Sequence, residues 1–463
     1  MGYGVIGSTS DSGSFSLGSS PGTPAIAKEF ARRPPSSSGL GRRPLTALTP
    51  VQIRLGVQLF AGLRPCFLLS KDRHPSAARQ ACKNDTMRII LVSDTFRPTM
   101  GGIETQVGAL ADHLHSRGHE IVVLTCTPEG AQTDPCPYTV LRSTWSNPFG
   151  APVDPKAPRR FRDFITRFQP DVVHYHMGEL TPVVQSLLLR LKDSGIPQVV
   201  TVHSLWDPRL TIPSFTAIAR RTGLNRAPII WTGVSQLVND QIRAVMGESV
   251  QIATLHNGVD LTPWQRPPLA HEGILAVTAT RFAPRKRVDA LIDILAETSR
   301  RWNSYYRRGE ASSFPLRAVI AGEGPLFNSA VRKVEKYDLG EWVLLPGRMS
   351  AGQLQDLYSR ADIFLAPSIK ESASIAGREA LASGLAVMTR SQSGLAEVVE
   401  NGVNGWSLDS DEDMIETLVG VLERPECLGD IRAHNMSASF PFSWEKVIDS
   451  TEEYYRRAMA AVS

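Results

Sequence analysis

The stretch "MRIILVSD", residues 87–94, is an unbroken apolar run of strand length, and together with the elements after it this run constrains the fold more than any other feature of the chain. A strand with one wet face alternates polar and apolar residues, so a continuous run marks a strand covered on both faces. Next comes the glycine-containing loop "RPTMGGIETQ", then the amphipathic pattern "VGALADHLHSRG" stopped at Gly118, then a second apolar run, "HEIVVLTC". Strand, helix and strand in that order make a βαβ unit, whose crossover helix imposes parallel pairing.

The alternation continues through "DVVHYHM", the helix pattern "PVVQSLLLRLKDSG", and the runs "QVVTVHS" and "IIWTGVS". A second series opens after "TLHNGVD" with "GILAVTATRF", "VDALIDILAETSRRW", "LRAVIAGEG", "LFNSAVRKVEKYDLG", "WVLLPGR", "ADIFLAPS" and "LAVMTRS". Two successive series of this kind predict an α/β chain of two Rossmann-like domains, residues 87–260 and 261–440, facing across a cleft. The aromatic-rich end "FSWEKVIDSTEEYYRRAMAA" predicts a closing helix, 441–463, that packs back toward the first domain.

Residues 1–86 differ in kind. They begin with Gly/Ser/Pro low complexity and hold eleven Lys/Arg against four Asp/Glu, leaving 39 against 42 for the rest. Such a segment buries too little apolar surface to fold. Three readings stand: a mis-assigned start with translation beginning at Met87, a disordered extension, or an Arg- and Ser-rich transit peptide. In each of them the segment is dispensable for the body. Its most apolar part, "VQIRLGVQLFAGLRPCFLLS", is broken by Arg54, Arg64 and Pro65, unlike a membrane span of about 20 apolar residues. The body is near neutral, which excludes a basic face for nucleic acid. Cys66, Cys82, Cys126, Cys136 and Cys427 are scattered without a CxxC pair, as in a reduced, cytoplasmic chain.

Ligands of such sheets bind beyond the carboxyl ends of the strands. That rule picks out Gly101 and Gly102 after the first strand, then His176, His203 and Ser235 at later strand ends of the first domain. In the second domain it picks out Arg281 and Lys286 in "RFAPRKRV", Gly322 and Gly324, Gly347 and Arg348, and Glu371. Helical geometry separates Glu371 from Glu379 by roughly 12 Å. Paired glycosidase carboxylates lie within roughly 10 Å of each other, so this pair suits a long ligand held at both ends. The plainer reading is a helix whose acids face water, and both readings remain open on the residues alone. A nucleoside-diphosphate sugar fits the first: Arg281 and Lys286 neutralise the diphosphate, the loop Ser372, Ala373, Ser374 leads into a helix N-terminus, and the two glutamates accept hydroxyls of hexose and ribose.

The segments "RIILVSDTFRPTMGGIETQVGALADHLHSRGHEIVVLT", "HNGVD", "RFAPRKRVDALI", "IAGEGP", "LPGRMS" and "ESASIAGREA" together resemble the retaining nucleotide-sugar glycosyltransferases of GT-B fold with an E-x7-E element. The likeness runs through nearly all of residues 87–460. It implies hexosyl transfer, with retention, from a UDP- or GDP-linked sugar to a glycan or lipid-linked acceptor, with no cofactor and no metal. It implies that Arg281 and Lys286 bind the diphosphate, Glu371 the sugar and Glu379 the ribose. It further implies that Gly101 and Gly102 sit by the phosphates, His203 near the anomeric centre, and the Met349 backbone at the base. Where the family carries an aromatic residue and then glycine after the first glutamate, this chain has Ala373 and Ser374. Serine limits the close approach to phosphate that glycine allows.

Other motifs have simpler explanations. "HYH", 174–176, puts two imidazoles on one strand face without a third ligand nearby, which fits a core role better than a metal. "DSDEDM", 409–414, reads as a helix start, with Ser410 and Asp413 capping it. "RRFRDFITRFQ", 159–169, is a basic, aromatic helix suited to peripheral contact with the inner face of a membrane, or an ordinary surface helix. Two other functions share the two-domain layout: a sugar-nucleotide epimerase and a donor-binding subunit without catalysis of its own.

Overall fold

The computed structural model of the protein describes residues 86–99, 101–130, 135–145, 153–306 and 314–462. The chain divides into two units, Met1–Asp85 and Thr86–Ser463. The readings given above for the N-terminal extension lie outside the described residues.

Within the second unit the first sheet contains β1 (Arg88–Val92), β2 (Glu120–Thr125), β3 (Thr139–Arg142), β4 (Val172–Met177), β5 (Gln198–Val202), β6 (Ile229–Gly233) and β7 (Gln251–Thr254). Their spatial order is β3-β2-β1-β4-β5-β6-β7, every pair parallel. Helices α1 (Gly102–Ser116), α2 (Ala157–Phe168), α3 (Pro182–Leu191), α4 (Thr211–Thr222) and α5 (Gln236–Met246) cover it. The unbroken apolar run of β1 explains itself here. Ile89 and Leu91 join the core under α1, while Ile90 and Val92 join the core under α2 and α3. Successive side chains of a strand point to opposite faces, so both parities must be apolar when both faces are covered.

The second sheet contains β8 (Ile274–Ala279), β9 (Leu316–Ala321), β10 (Val343–Gly347), β11 (Ile363–Ala366), β12 (Ala386–Arg390) and β13 (Gly405–Leu408), in the order β10-β9-β8-β11-β12-β13 and again parallel. Around it lie α6 (Val288–Tyr306), α7 (Phe327–Lys336), α8 (Ala351–Tyr358), α9 (Ile375–Ala382), α10 (Asp411–Glu423) and α11 (Cys427–Ser437). At the start of α10 the Ser410 hydroxyl accepts from Asp413 N and the Asp413 carboxylate accepts from Ser410 N, a full capping box. The "DSDEDM" acids therefore serve a helix start.

The two sheets are joined by a pinned segment. The side-chain amide of Gln106 donates to Gly258 O at 2.9 Å and accepts from Gly258 N at 2.8 Å, and Val259 N donates to Phe442 O at 2.8 Å. The last helix, α12 (Trp444–Val462), returns to the first domain, where Ile448, Tyr455 and Ala458 enter the core beneath β1.

Candidate active site

In each sheet the strand order reverses at one place: between β1 and β4 in the first, and between β8 and β11 in the second. A crevice opens at such a switch point, because the loops on either side leave toward opposite faces. Arg281 and Lys286 follow β8, and Glu371 follows β11, so the sequence has placed its cations and its first glutamate on the two sides of one switch point. They face a cavity of about 500 Å³ that is also lined by Gly102, His203 and Asn257 from the first domain. That size is within the range of small-ligand sites.

Main-chain bonds fix the Arg281 loop. Thr280 N donates to Ala321 O at 3.0 Å, and Phe282 N to Glu323 O at 2.9 Å. The loop after β9 can lie this close only because Gly322, at φ +136°, has no Cβ, which would fall 1.8 Å from Thr280 O. The Arg281 side chain is exposed and Lys286 is half-buried. Lys286 Nζ pairs with the Glu371 carboxylate. Next to it Arg287 holds Asp411 with two bonds, 2.9 and 2.6 Å, and the Pro367 carbonyl at 2.9 Å, which ties the lysine loop to β11.

Glu371 does not lie on a helix. It belongs to the loop before α9, which begins only at Ile375, so the helical spacing of the two glutamates expected from sequence fails here. The loop rests on Gly394: Gly394 N donates to Glu371 O at 2.8 Å, and a Cβ on Gly394 would lie 2.0 Å from Ser372 O. Ala373 is 1 % exposed and packs with the first domain's core. Its small side chain is thus fitted to the joint between domains. Ser374 takes φ 45°, ψ 86°, and its hydroxyl accepts from Gly377 N at 3.4 Å, capping α9. Left-handed backbone costs a residue with a Cβ about 1–2 kcal/mol, whereas replacing a serine cap by glycine costs a few tenths. Ser374→Gly is therefore expected to raise stability by about 1 kcal/mol and to bring backbone amides closer to a bound phosphate. Thermal melting together with donor titration checks this. A lower melting temperature would mean that the cap outweighs the strain.

His203 reaches the cavity but has no free ring nitrogen. Its Nδ1 lies 3.0 Å from Asn257 Oδ1, and its Nε2 lies 3.1 Å from His176 Nδ1. Burial pushes its pKa down to about 4, against a smaller upward pull from Asn257. His203 thus stands at the cavity wall as a neutral imidazole with both ring nitrogens engaged within the protein. In "HYH", His174 is fully bonded, to Tyr455 Oη at 2.8 Å and Thr201 Oγ1 at 2.7 Å, and serves the core.

The expected residues do not all meet. Gly102, His203, Arg281, Lys286, Glu371, Ser372, Ala373 and Ser374 line the cavity, whereas Gly101, Met349 and Glu379 do not. Met349 lies on the loop between β10 and α8, half-buried. Glu379, on α9, is largely buried, and desolvation raises its pKa to about 7. Asn257, Arg285, Ser204 and Glu104 line the cavity without having been singled out from sequence. All four adjoin residues or motifs that were: Ser204 follows His203, Arg285 precedes Lys286, Asn257 lies in "HNGVD", and Glu104 lies in "RPTMGGIETQ".

Residues 100–263 match the family model "Glycosyltransferase Family 4", and residues 264–436 match "Glycosyl transferases group 1". The chain belongs to the group 1 glycosyl transferases. One component of the human phosphatidylinositol N-acetylglucosaminyltransferase is 25% identical over 401 residues, covering 81% of this chain and 77% of the relative. The alpha-monoglucosyldiacylglycerol synthase of Acholeplasma laidlawii is 22% identical over 413 residues, covering 80% and 96%. Among solved structures, Anabaena HepE in complex with UDP aligns with a TM-score of 0.62 at 16% identity, covering 79% of this chain and 99% of that one. Sucrose-phosphate synthase from Thermosynechococcus elongatus aligns with a TM-score of 0.63 at 18% identity, covering 81% and 100%. The fold is GT-B, two Rossmann-like domains, and the family's activity is glycosyl transfer.

Proposed function

We propose that the protein is a retaining hexosyltransferase that moves a hexose from a UDP- or GDP-linked sugar to a hydroxyl of a lipid-linked or glycan acceptor. The observation that carries this reading is the meeting of Arg281, Lys286 and Glu371 around one cavity at the second sheet's switch point. The acceptor hydroxyl attacks the anomeric carbon as the bond to the diphosphate breaks. The nucleoside diphosphate leaves with the electron pair, and the hydroxyl proton passes to it. Charge grows on the departing oxygens, where Arg281, Lys286 and the α9 N-terminus act as preorganised donors, usually the largest catalytic contribution. In this reading those cations carry the counter-charge without a metal or cofactor. Glu371 holds the hexose and Gly102 adjoins the phosphates; Glu379 for the ribose, Gly101 for the phosphates and Met349 for the base lie beyond that cavity's lining and are assigned on the family resemblance.

The lipid-linked acceptor is supported by relatives whose names specify phosphatidylinositol and diacylglycerol. No helix among the described residues is long and apolar enough to cross a membrane. We place the enzyme in the cytoplasm, in contact with the inner membrane face by charge alone. On α2, Phe161 and Ile165 are buried and Phe164 and Phe168 pack against the core, so the aromatic residues are not available for insertion. Arg159 and Arg167 remain on the solvent side for anionic headgroups, while Arg160 is held by Asp154 and Ser143. Incubating the protein with labelled nucleotide sugars in EDTA, with and without membrane lipid extract, tests the proposal. Label appearing in lipid or glycan only when acceptor is present supports it, whereas an epimerised nucleotide sugar or no turnover contradicts it.

A further inference from the structure

Arg378 lies on α9, one residue before Glu379, and is completely buried. An arginine out of water needs partners on several sides, and the two terminal nitrogens of this one find theirs outside its own domain's core, while its Nε has no hydrogen-bond partner. Its guanidinium donates to Asn257 O at 3.2 Å, to Val234 O at 3.4 Å and to His256 Nδ1 at 3.3 Å, and lies 5.4 Å from the Phe442 ring centre. Because arginine only donates, His256 Nδ1 must be the acceptor. The 3.3 Å approach of that nitrogen to Val234 O is then a contact between two acceptors. One side chain of the helix that carries Glu379 thus holds the end of β6, the segment joining the domains, and the stretch leading into α12.

Asn257 is gripped at both ends. Its main-chain carbonyl accepts from Arg378, while its side-chain oxygen faces His203 Nδ1 at 3.0 Å. That oxygen can only accept, so the proton of His203 sits on Nδ1. His203 Nε2 is left to accept from His176 Nδ1 at 3.1 Å. The chain ends at His176 Nε2, a buried lone pair with no partner.

We propose that Arg378 is a positioning residue for glycosyl transfer: by holding the Asn257 main chain it fixes the tautomer and orientation of His203 at the cavity wall, and so sets the two domains in register around the donor. This rests on the glycosyl-transfer reading for its kinetic consequence but not for its structural one. Arg378→Met keeps the volume and removes the charge, and Glu397, the opposite charge that acts on it, keeps its bond from Leu237 N. Arg378→Lys keeps one charge, and Asn257→Ala removes the side-chain link to His203, with part of the cavity wall, while keeping the carbonyl that Arg378 holds.

Imidazole nitrogen NMR reads the tautomer directly. His203 is expected in a single Nδ1-protonated form in the wild type and in Arg378→Lys, and as exchanging tautomers in Arg378→Met and Asn257→Ala. Release of nucleoside diphosphate in single turnovers reads the consequence. Both disrupting variants should lose about tenfold in rate with donor affinity nearly unchanged, and the double variant should lose no more than the worse single one, as expected for one network. An unchanged tautomer, a normal rate in Arg378→Met, or losses that multiply would overturn the proposal. Should Arg378→Met not fold, Arg378→Gln, polar but uncharged, takes its place with the same expected result. No turnover by the wild type on any sugar nucleotide would sink the transfer reading, while the NMR result would still judge the positioning.

Discussion

Changing Glu371 to glutamine is expected to slow turnover by about a hundredfold, the size of losing one preorganised electrostatic group, while free UDP binds at least as tightly as before. The Glu371 carboxylate pairs with Lys286. A donor arriving with its own negative charges must take Lys286 from that pairing. Glutamine weakens the pairing and leaves the ammonium more available to a diphosphate, so nucleoside diphosphate binding should not fall. On the proposed function, what is lost is the charged hydrogen bond to the hexose, which matters most as the anomeric bond breaks. Single-turnover rates with UDP-sugar and calorimetry with free UDP separate the two effects. Equal loss in both would place Glu371 on the diphosphate instead of the sugar.

Glu379→Gln should behave in the opposite way, weakening donor binding by roughly tenfold to a hundredfold, the range of a charged hydrogen bond, with a smaller effect on the bound donor's rate. The pH dependence makes this sharper. Burial raises the Glu379 pKa from 4.5 to about 7, so between those values the folded protein binds the proton that the unfolded chain has released. The stability this gives is present below pH 4.5 and is lost as pH rises through 7, up to about 3 kcal/mol in all. Glutamine, neutral throughout, removes that loss, and the variant should be more stable than wild type at about pH 8. A ribose hydroxyl donates best to the ionised carboxylate, so UDP-glucose affinity should fall about tenfold from about pH 8 to about pH 6 in the wild type. It should stay flat in Glu379→Gln. UDP-glucose suits the test because its diphosphate does not titrate in that window. A pH-independent wild type would remove Glu379 from the donor site.

The fold was legible where burial is complete. β1, β4 and β5 are covered on both faces, and their unbroken apolar runs say so without tertiary knowledge. The edge strands β3 and β7 were missed, since "TVLR" and "QIAT" are exposed at their first residue and half-buried after it, and leave neither a continuous run nor a clean alternation. Of the site, strand-end position identified Arg281, Lys286 and Glu371, because a parallel sheet delivers its loops to one rim. It failed for side chains that act from inside. Arg378 looks like an exposed helix cation in "IAGREA", and only tertiary packing turns it inward. The sequence places His203 at a strand end and does not show that Asn257 and His176, from distant parts of the chain, occupy both of its nitrogens. Ser374 carries no sequence sign that its backbone is left-handed.

The measurement that bears most directly on the account is calorimetry of UDP against uridine, and of GDP against guanosine, with the wild type and Arg281→Ala. If the cavity was built for a diphosphate, one diphosphate should bind about a hundredfold or more above its nucleoside, from two charged contacts at Arg281 and Lys286. Most of that margin should vanish in Arg281→Ala, while the nucleoside's own weak binding stays put. Nucleoside and nucleoside diphosphate binding alike, or a margin indifferent to Arg281, would contradict it.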